Sequence, residues 1–220
     1  LINHGTKNEK IKRRDNIFSD IPTCCWGNSF WCLSYFLQPI HINDMKIIFL
    51  DIDGPLAWGT WGDGRVKIDE HTTIPYPWVQ EDCDALSEIL TKTDARVVIS
   101  SDWRKHYSIK HMEVIFMHYK IPPWNLLDYT TMYNRRKKMS SSMEFDRACE
   151  IVQWVKNNKI KDWVAIDDLG LSGIFKNMGY PKYRHIQVDG DFGYGGRLRD
   201  KVEDVIKILN KNENSNNSSR

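Results

Sequence analysis

The sequence predicts an α/β domain built on an open, mostly parallel sheet with helices on both faces, and three observations carry that prediction. Short, almost wholly apolar runs alternate along the chain with amphipathic helical patterns. The runs are too continuous to leave one face in water, as expected of strands buried in a parallel sheet. Several of them end in carboxylates or hydroxyls, where the carboxyl ends of such strands form a ligand-binding edge.

The first run, Lys46–Leu50, reads KIIFL, and Arg96–Ile99, Trp163–Ile166 and His185–Val188 follow the same pattern. Between them the apolar residues fall at helical spacing. Val79, Cys83, Leu86 and Leu90 share one face, as do Ile109, Met112, Phe116 and Tyr119, and then Phe145, Cys149, Val152 and Val155. A last helix opens near Asp200 and uses Val202, Val205, Ile206 and Leu209. Ser141 followed by Glu144 makes a capping box before the third of these helices. From Trp58 to Tyr76 the pattern changes. Gly59, Gly62 and Gly64 punctuate an alternating Arg65–Ile68, which predicts a short hairpin acting as a flap.

A chain of 220 residues, 41% hydrophobic and 27% charged, is long enough for one substantial core. Its net charge of +2 favours neither nucleic acid nor membrane through the field of the whole molecule, so any basic surface must be local. Five cysteines form no CxxC pair, which suits free thiols and a cytoplasmic, reducing setting. The apolar stretch from Cys24 to Ile40 is too short and interrupted to span a bilayer. The basic residues Lys10, Lys12, Arg13 and Arg14 before it imitate a signal peptide, but no small-residue cleavage site follows. Residue 1 is Leu, and Met45 directly precedes the first strand. Residues 1–44 are therefore read as an N-terminal extension outside the core, 45–210 as the domain, and the polar 211–220 as a disordered tail.

Asp51 and Asp53 stand where the first strand ends, and Gly54 permits a sharp turn after them. Two carboxylates beside an apolar strand are costly without a cation or a hydrogen-bond network. The second strand ends in Ser100 and Ser101, and the third in Asp167 and Asp168, so three strand ends supply oxygen donors to one edge. Each alone reads equally well as a turn residue.

These motifs, FLDIDG, VVISS and VAIDD, resemble those of the haloacid dehalogenase (HAD) superfamily of phosphatases and phosphotransferases, over residues 45–209. VISSDWRK, RACEIVQW and WVAIDD look most like the small HAD domains associated with RNA repair, and more distantly like the phosphatase half of polynucleotide kinase-phosphatases. The chain departs from the pattern at Pro55, where Thr or Val is commoner, and in its doubled serine.

The resemblance implies a Rossmannoid three-layer sandwich and a Mg²⁺-dependent phosphohydrolase in which Asp51 is the nucleophile and Asp53 the general acid and base. It implies a metal held by Asp51, by Asp53 through its main-chain carbonyl, and by Asp167 or Asp168. A serine, Ser100 in preference to Ser101, would hold the phosphate together with a basic residue of the third motif. Arg147 is the first choice there, with Lys137, Lys138 and Lys156 as alternatives. Arg104, shortly after the serines, is implied as a second phosphate contact, and Gly54 and Lys138 are further candidate substrate contacts.

The interval between residues 54 and 96 is too short for a large cap domain, so an open site is expected, able to admit a polymer end. Trp58, Trp61, Trp78, Trp103 and Tyr107 are placed to stack on bases or to pack in the core, and the basic run at 135–138 to follow a backbone or simply to be solvated. His106, His111 and His118 lack an acidic or cysteine partner at zinc spacing. The expected partner is a phosphorylated substrate, nucleic-acid ends or nucleotides first, with small-metabolite or sugar phosphates, or a HAD-like binding module without turnover, as the alternatives. No obligate protein partner is evident.

Overall fold

The structure is a computed structural model that describes residues 42–59, 64–132, 142–188 and 195–211. Most of the N-terminal extension, Trp61, the basic run at 135–138 and residues 212–220 lie outside the described residues.

Five strands form one parallel sheet: β1 (Lys46–Leu50), β4 (Arg96–Ile99), β5 (Leu126–Tyr129), β6 (Asp162–Asp167) and β7 (His185–Gln187), in the order β5-β4-β1-β6-β7. β1 lies at the centre because it is the most apolar strand, with Ile47 to Leu50 wholly buried. Its even residues, Ile48 and Leu50, face a cluster built with α1 (Gln80–Thr93), α2 (Ile109–His118) and α5 (Val202–Leu209). Its odd residues, Ile47 and Phe49, face α3 (Met143–Asn158) and α4 (Ser172–Asn177). The result is the expected three-layer sandwich with both sheet faces covered. Phe49 anchors the second face, edge-on to Trp154 at 5.5 Å and to Trp163 at 5.8 Å between ring centroids.

The flap is present as an antiparallel hairpin, β2 (Val66–Lys67) paired with β3 (Thr73–Ile74). The capping box expected from Ser141 and Glu144 is corrected. Ser142 caps α3, its Oγ accepting from the Phe145 amide at 3.3 Å, and Ser141 lies outside the described residues. One residue of displacement suffices, because the N-cap hydroxyl must reach the amide three positions on. No helix among the described residues is long and apolar enough to cross a membrane.

Candidate active site

Side chains alternate across a strand, and this decides which residues meet at the sheet edge. Phe49 on β1, Val98 on β4 and Ala165 on β6 all face α3 and α4. The residues two further on, Asp51, Ser100 and Asp167, therefore emerge on that same side. The ladder carries them in register beyond the strands. The Asp51 amide donates to the Ile166 carbonyl at 2.9 Å, and the Ser100 amide donates to the Leu50 carbonyl at 2.9 Å. Carboxylate oxygens of Asp51, Asp167 and Asp168 all lie within 4.8 Å of one another, a grouping that can hold a metal ion.

Arg147 reaches this cluster from the second turn of α3. Its Nη1 lies 2.8 Å from Asp51 Oδ2 and 2.6 Å from Asp167 Oδ2. Asp167 is fully buried and also accepts the Leu169 amide at 3.0 Å, while Asp51 Oδ1 accepts the Ile52 amide at 2.8 Å. Burial opposes the charge on Arg147, yet the Asp51 and Asp167 carboxylates outweigh it and raise its pKa. Burial, then the nearby Asp51 charge, pushes Asp167 upward and lifts Asp168 to about 6. Three carboxylates against one guanidinium leave two formal negative charges, which suits a divalent cation with oxygen ligands.

Gly54 serves this cluster through its backbone. Its φ is +90°, and a Cβ there would stand 2.7 Å from Asp168 Cβ and 3.2 Å from the Val188 carbonyl. Only glycine allows the loop after β1 to lie against Asp168.

Asp53 turns away from the carboxylate cluster. Its Oδ1 accepts from the Tyr76 hydroxyl and, at 2.8 Å, from Trp103 Nε1. Burial is the largest influence on its carboxyl and raises the pKa, partly offset by these two donors. Asp53 thus occupies a setting that favours holding a proton.

The two serines behave differently. Ser101 Oγ accepts from the Trp103 amide at 3.4 Å and caps the 3₁₀ turn Asp102–Lys105. Ser100 Oγ is buried with no hydrogen-bond partner among the described residues. Thr130 Oγ1, at the end of the neighbouring strand, is in the same condition, as is Arg104 Nε. Arg104 is otherwise held tightly, Nη1 donating to the Ser101 carbonyl at 2.9 Å and Nη2 pairing with Glu150 at 2.5 Å. Lys156 is exposed, about 13 Å along the helix axis from Arg147 at the usual rise per residue. Lys137 and Lys138 lie outside the described residues.

Of the aromatic residues, Trp78 and Trp103 are core: Trp103 stacks on Tyr107 at 5.2 Å and Trp78 on Tyr119 at 5.2 Å. Trp58 is half-buried beneath Arg197, 3.6 Å from its guanidinium carbon. The described histidines form no metal grouping; His111 Nδ1 meets the Ser108 hydroxyl at 3.2 Å, and His118 packs edge-on to Tyr119. Sequence reading missed Thr130, Tyr76 and Glu150. Thr130 was within reach of the same rule that found Ser100, a hydroxyl following an apolar strand; the other two carry no local signal.

The parallel sheet, the flap hairpin and the acidic edge define a HAD-type Rossmannoid core. Residues 47–194, more than half of the chain, match the model of the HAD domain in Swiss Army Knife RNA repair proteins, and the chain belongs to that family. No curated protein and no solved structure gives a significant match.

Proposed function

We propose that this chain is a Mg²⁺-dependent phosphohydrolase that works through an aspartyl phosphate on Asp51 and acts on phosphorylated nucleic-acid ends. The convergence of three carboxylates and Arg147 beside the partnerless Ser100 hydroxyl carries this reading. A buried polar atom without a partner is rare, and here Ser100 Oγ, Thr130 Oγ1 and Arg104 Nε are three donors that a phosphate could satisfy. Membership of a family named for RNA repair, and a flap in place of a large cap, favour a polymer end as substrate.

Asp51, Asp167, Asp168 and the main-chain carbonyl of Asp53 would hold the cation, which supplies charge neutralisation between carboxylates and phosphate. Asp51 attacks phosphorus in line; the new carboxylate–phosphorus bond forms as the bond to the leaving oxygen breaks. Asp53 gives its proton to that oxygen, then takes one from the water that releases inorganic phosphate and restores Asp51. Ser100 and Arg147 hold the transferring oxygens, with Arg104 as a second cation fixed by Glu150.

The experiment is phosphate release from 3′-phosphorylated oligonucleotides, nucleotides and sugar phosphates with Mg²⁺, for the wild type and Asp51→Asn. Release that is fastest on the oligonucleotide and lost in the variant is expected. Preference for a sugar phosphate overturns the substrate class, and release that survives Asp51→Asn overturns the chemistry.

A further inference from the structure

The aromatic pair beside Asp53 has a role that the charged cluster does not explain. We infer that Trp103 and Tyr76 are positioning residues that commit Asp53 Oδ1 as a permanent acceptor and so assign proton transfer to Oδ2. The inference rests on the phosphohydrolase reading above.

Indole Nε1 can only donate, so the oxygen it contacts at 2.8 Å serves as an acceptor, and a proton placed on that oxygen would make it a poorer one. The Tyr76 hydroxyl donates to that same oxygen. Among the described residues no donor reaches Oδ2, which leaves it as the atom that gives and takes the proton. Two rigid groups on one oxygen also fix the carboxyl plane, which a carboxylate on a short, rotatable side chain would not hold alone. Both groups are themselves immobilised. Trp103 is fully buried between Tyr107, stacked at 5.2 Å, and Trp78, edge-on at 5.6 Å. Tyr76 meets Trp103 edge-on at 5.8 Å and is 3% exposed.

The two donors come from different parts of the site. Trp103 belongs to the turn that follows the serines, and Tyr76 stands two residues beyond the flap strand β3. The flap is thereby tied to the acid and base: displacing its root would withdraw one of the two donors. Gly59, at the start of the flap segment, permits this contact, because a Cβ there would press on the Tyr76 ring at 3.0 Å.

The test uses two phosphate esters of similar size in the full-length chain with Mg²⁺. Benzyl phosphate needs a proton on its leaving oxygen, whereas 4-nitrophenyl phosphate releases a stable anion. Tyr76→Phe keeps the ring and its packing and should lower kcat/KM on benzyl phosphate about tenfold, while kcat/KM on 4-nitrophenyl phosphate stays within about twofold, because that ratio reads the first phosphoryl transfer and not the later hydrolysis shared by both esters. Equal losses on the two esters, or none on either, overturn the inference. A second readout is independent of turnover: the indole N–H resonance lost in Trp103→Phe should move upfield in Asp53→Ala. An unmoved resonance overturns the pairing itself. A resonance that moves in a chain releasing no phosphate overturns the phosphohydrolase reading, and with it the catalytic role inferred for the pair, while the contact stands.

Discussion

Asp51 sits among charges, whereas Asp53, two residues on, sits among aromatic rings. On the α3 side of the strand ends, Asp51 and Asp167 share one guanidinium, Asp168 lies close to both, and the electrostatics are those of ions out of water. On the flap side, a single carboxyl is held by a phenol and an indole, neutral donors that leave its proton affinity raised. The difference follows from the turn after β1 that passes through Gly54, since alternation alone would leave residues two apart on one face. It teaches how one DxD motif can place its two carboxylates in unlike surroundings: the chain turns one into a charged layer and the other into an aromatic one.

The sharpest way to break this comparison is to remove one donor from each side and measure unfolding in denaturant without metal. Arg147→Met strips the charged side of its guanidinium and should cost about 3–5 kcal/mol, because buried carboxylates are left uncompensated. Tyr76→Phe should cost about 1–2 kcal/mol, the scale of one hydrogen bond to a carboxyl. Equal costs would mean that the two surroundings do not differ as described.

A smaller effect separates the sides by pH. The carboxyl of Asp168 is lifted in the folded chain from its ordinary 3.8 to about 6. A folded-state value above the unfolded one means that the native state binds the proton more tightly, so the contribution of Asp168 to stability is fully present below about 4 and is lost as pH rises through about 6. Denaturation midpoints measured in chelator across that window should show the decline. Mg²⁺ should reduce it, since the cation favours the ionised carboxylates. A midpoint that rises with pH in chelator would contradict the assignment.

The smallest expected effect on stability is that of Ser100→Ala. Its hydroxyl has no partner among the described residues, so the loss should stay within about 0.5 kcal/mol while phosphate release falls on every substrate. A large loss of stability with turnover intact would assign Ser100 to the scaffold.

The charged side was far more legible in the sequence than the aromatic one. An apolar run ending in an acid or a serine carries its own register, so Asp51, Ser100 and Asp167 could be placed on one edge before any coordinate was known. The hairpin followed from glycine spacing in the same local way. Trp103 was visible only as an aromatic near the second motif, where base stacking and packing read alike; its burial and its bond to Asp53 depend on contacts 50 residues apart. The pairing of Arg104 with Glu150 spans 46 residues and was equally silent. Local pattern fixes which face a residue leaves from, whereas the partners it finds there are set by how the layers close.

The central claim, that Asp51 is the atom donor to phosphorus, is tested most directly by trapping. Wild-type chain mixed with Mg²⁺ and a 3′-phosphorylated oligonucleotide, acid-quenched and reduced with borohydride, should yield homoserine at position 51 and at no other acidic residue on peptide mapping. Phosphate release with Asp51 recovered unmodified, or reduction at a different carboxylate, would contradict the account.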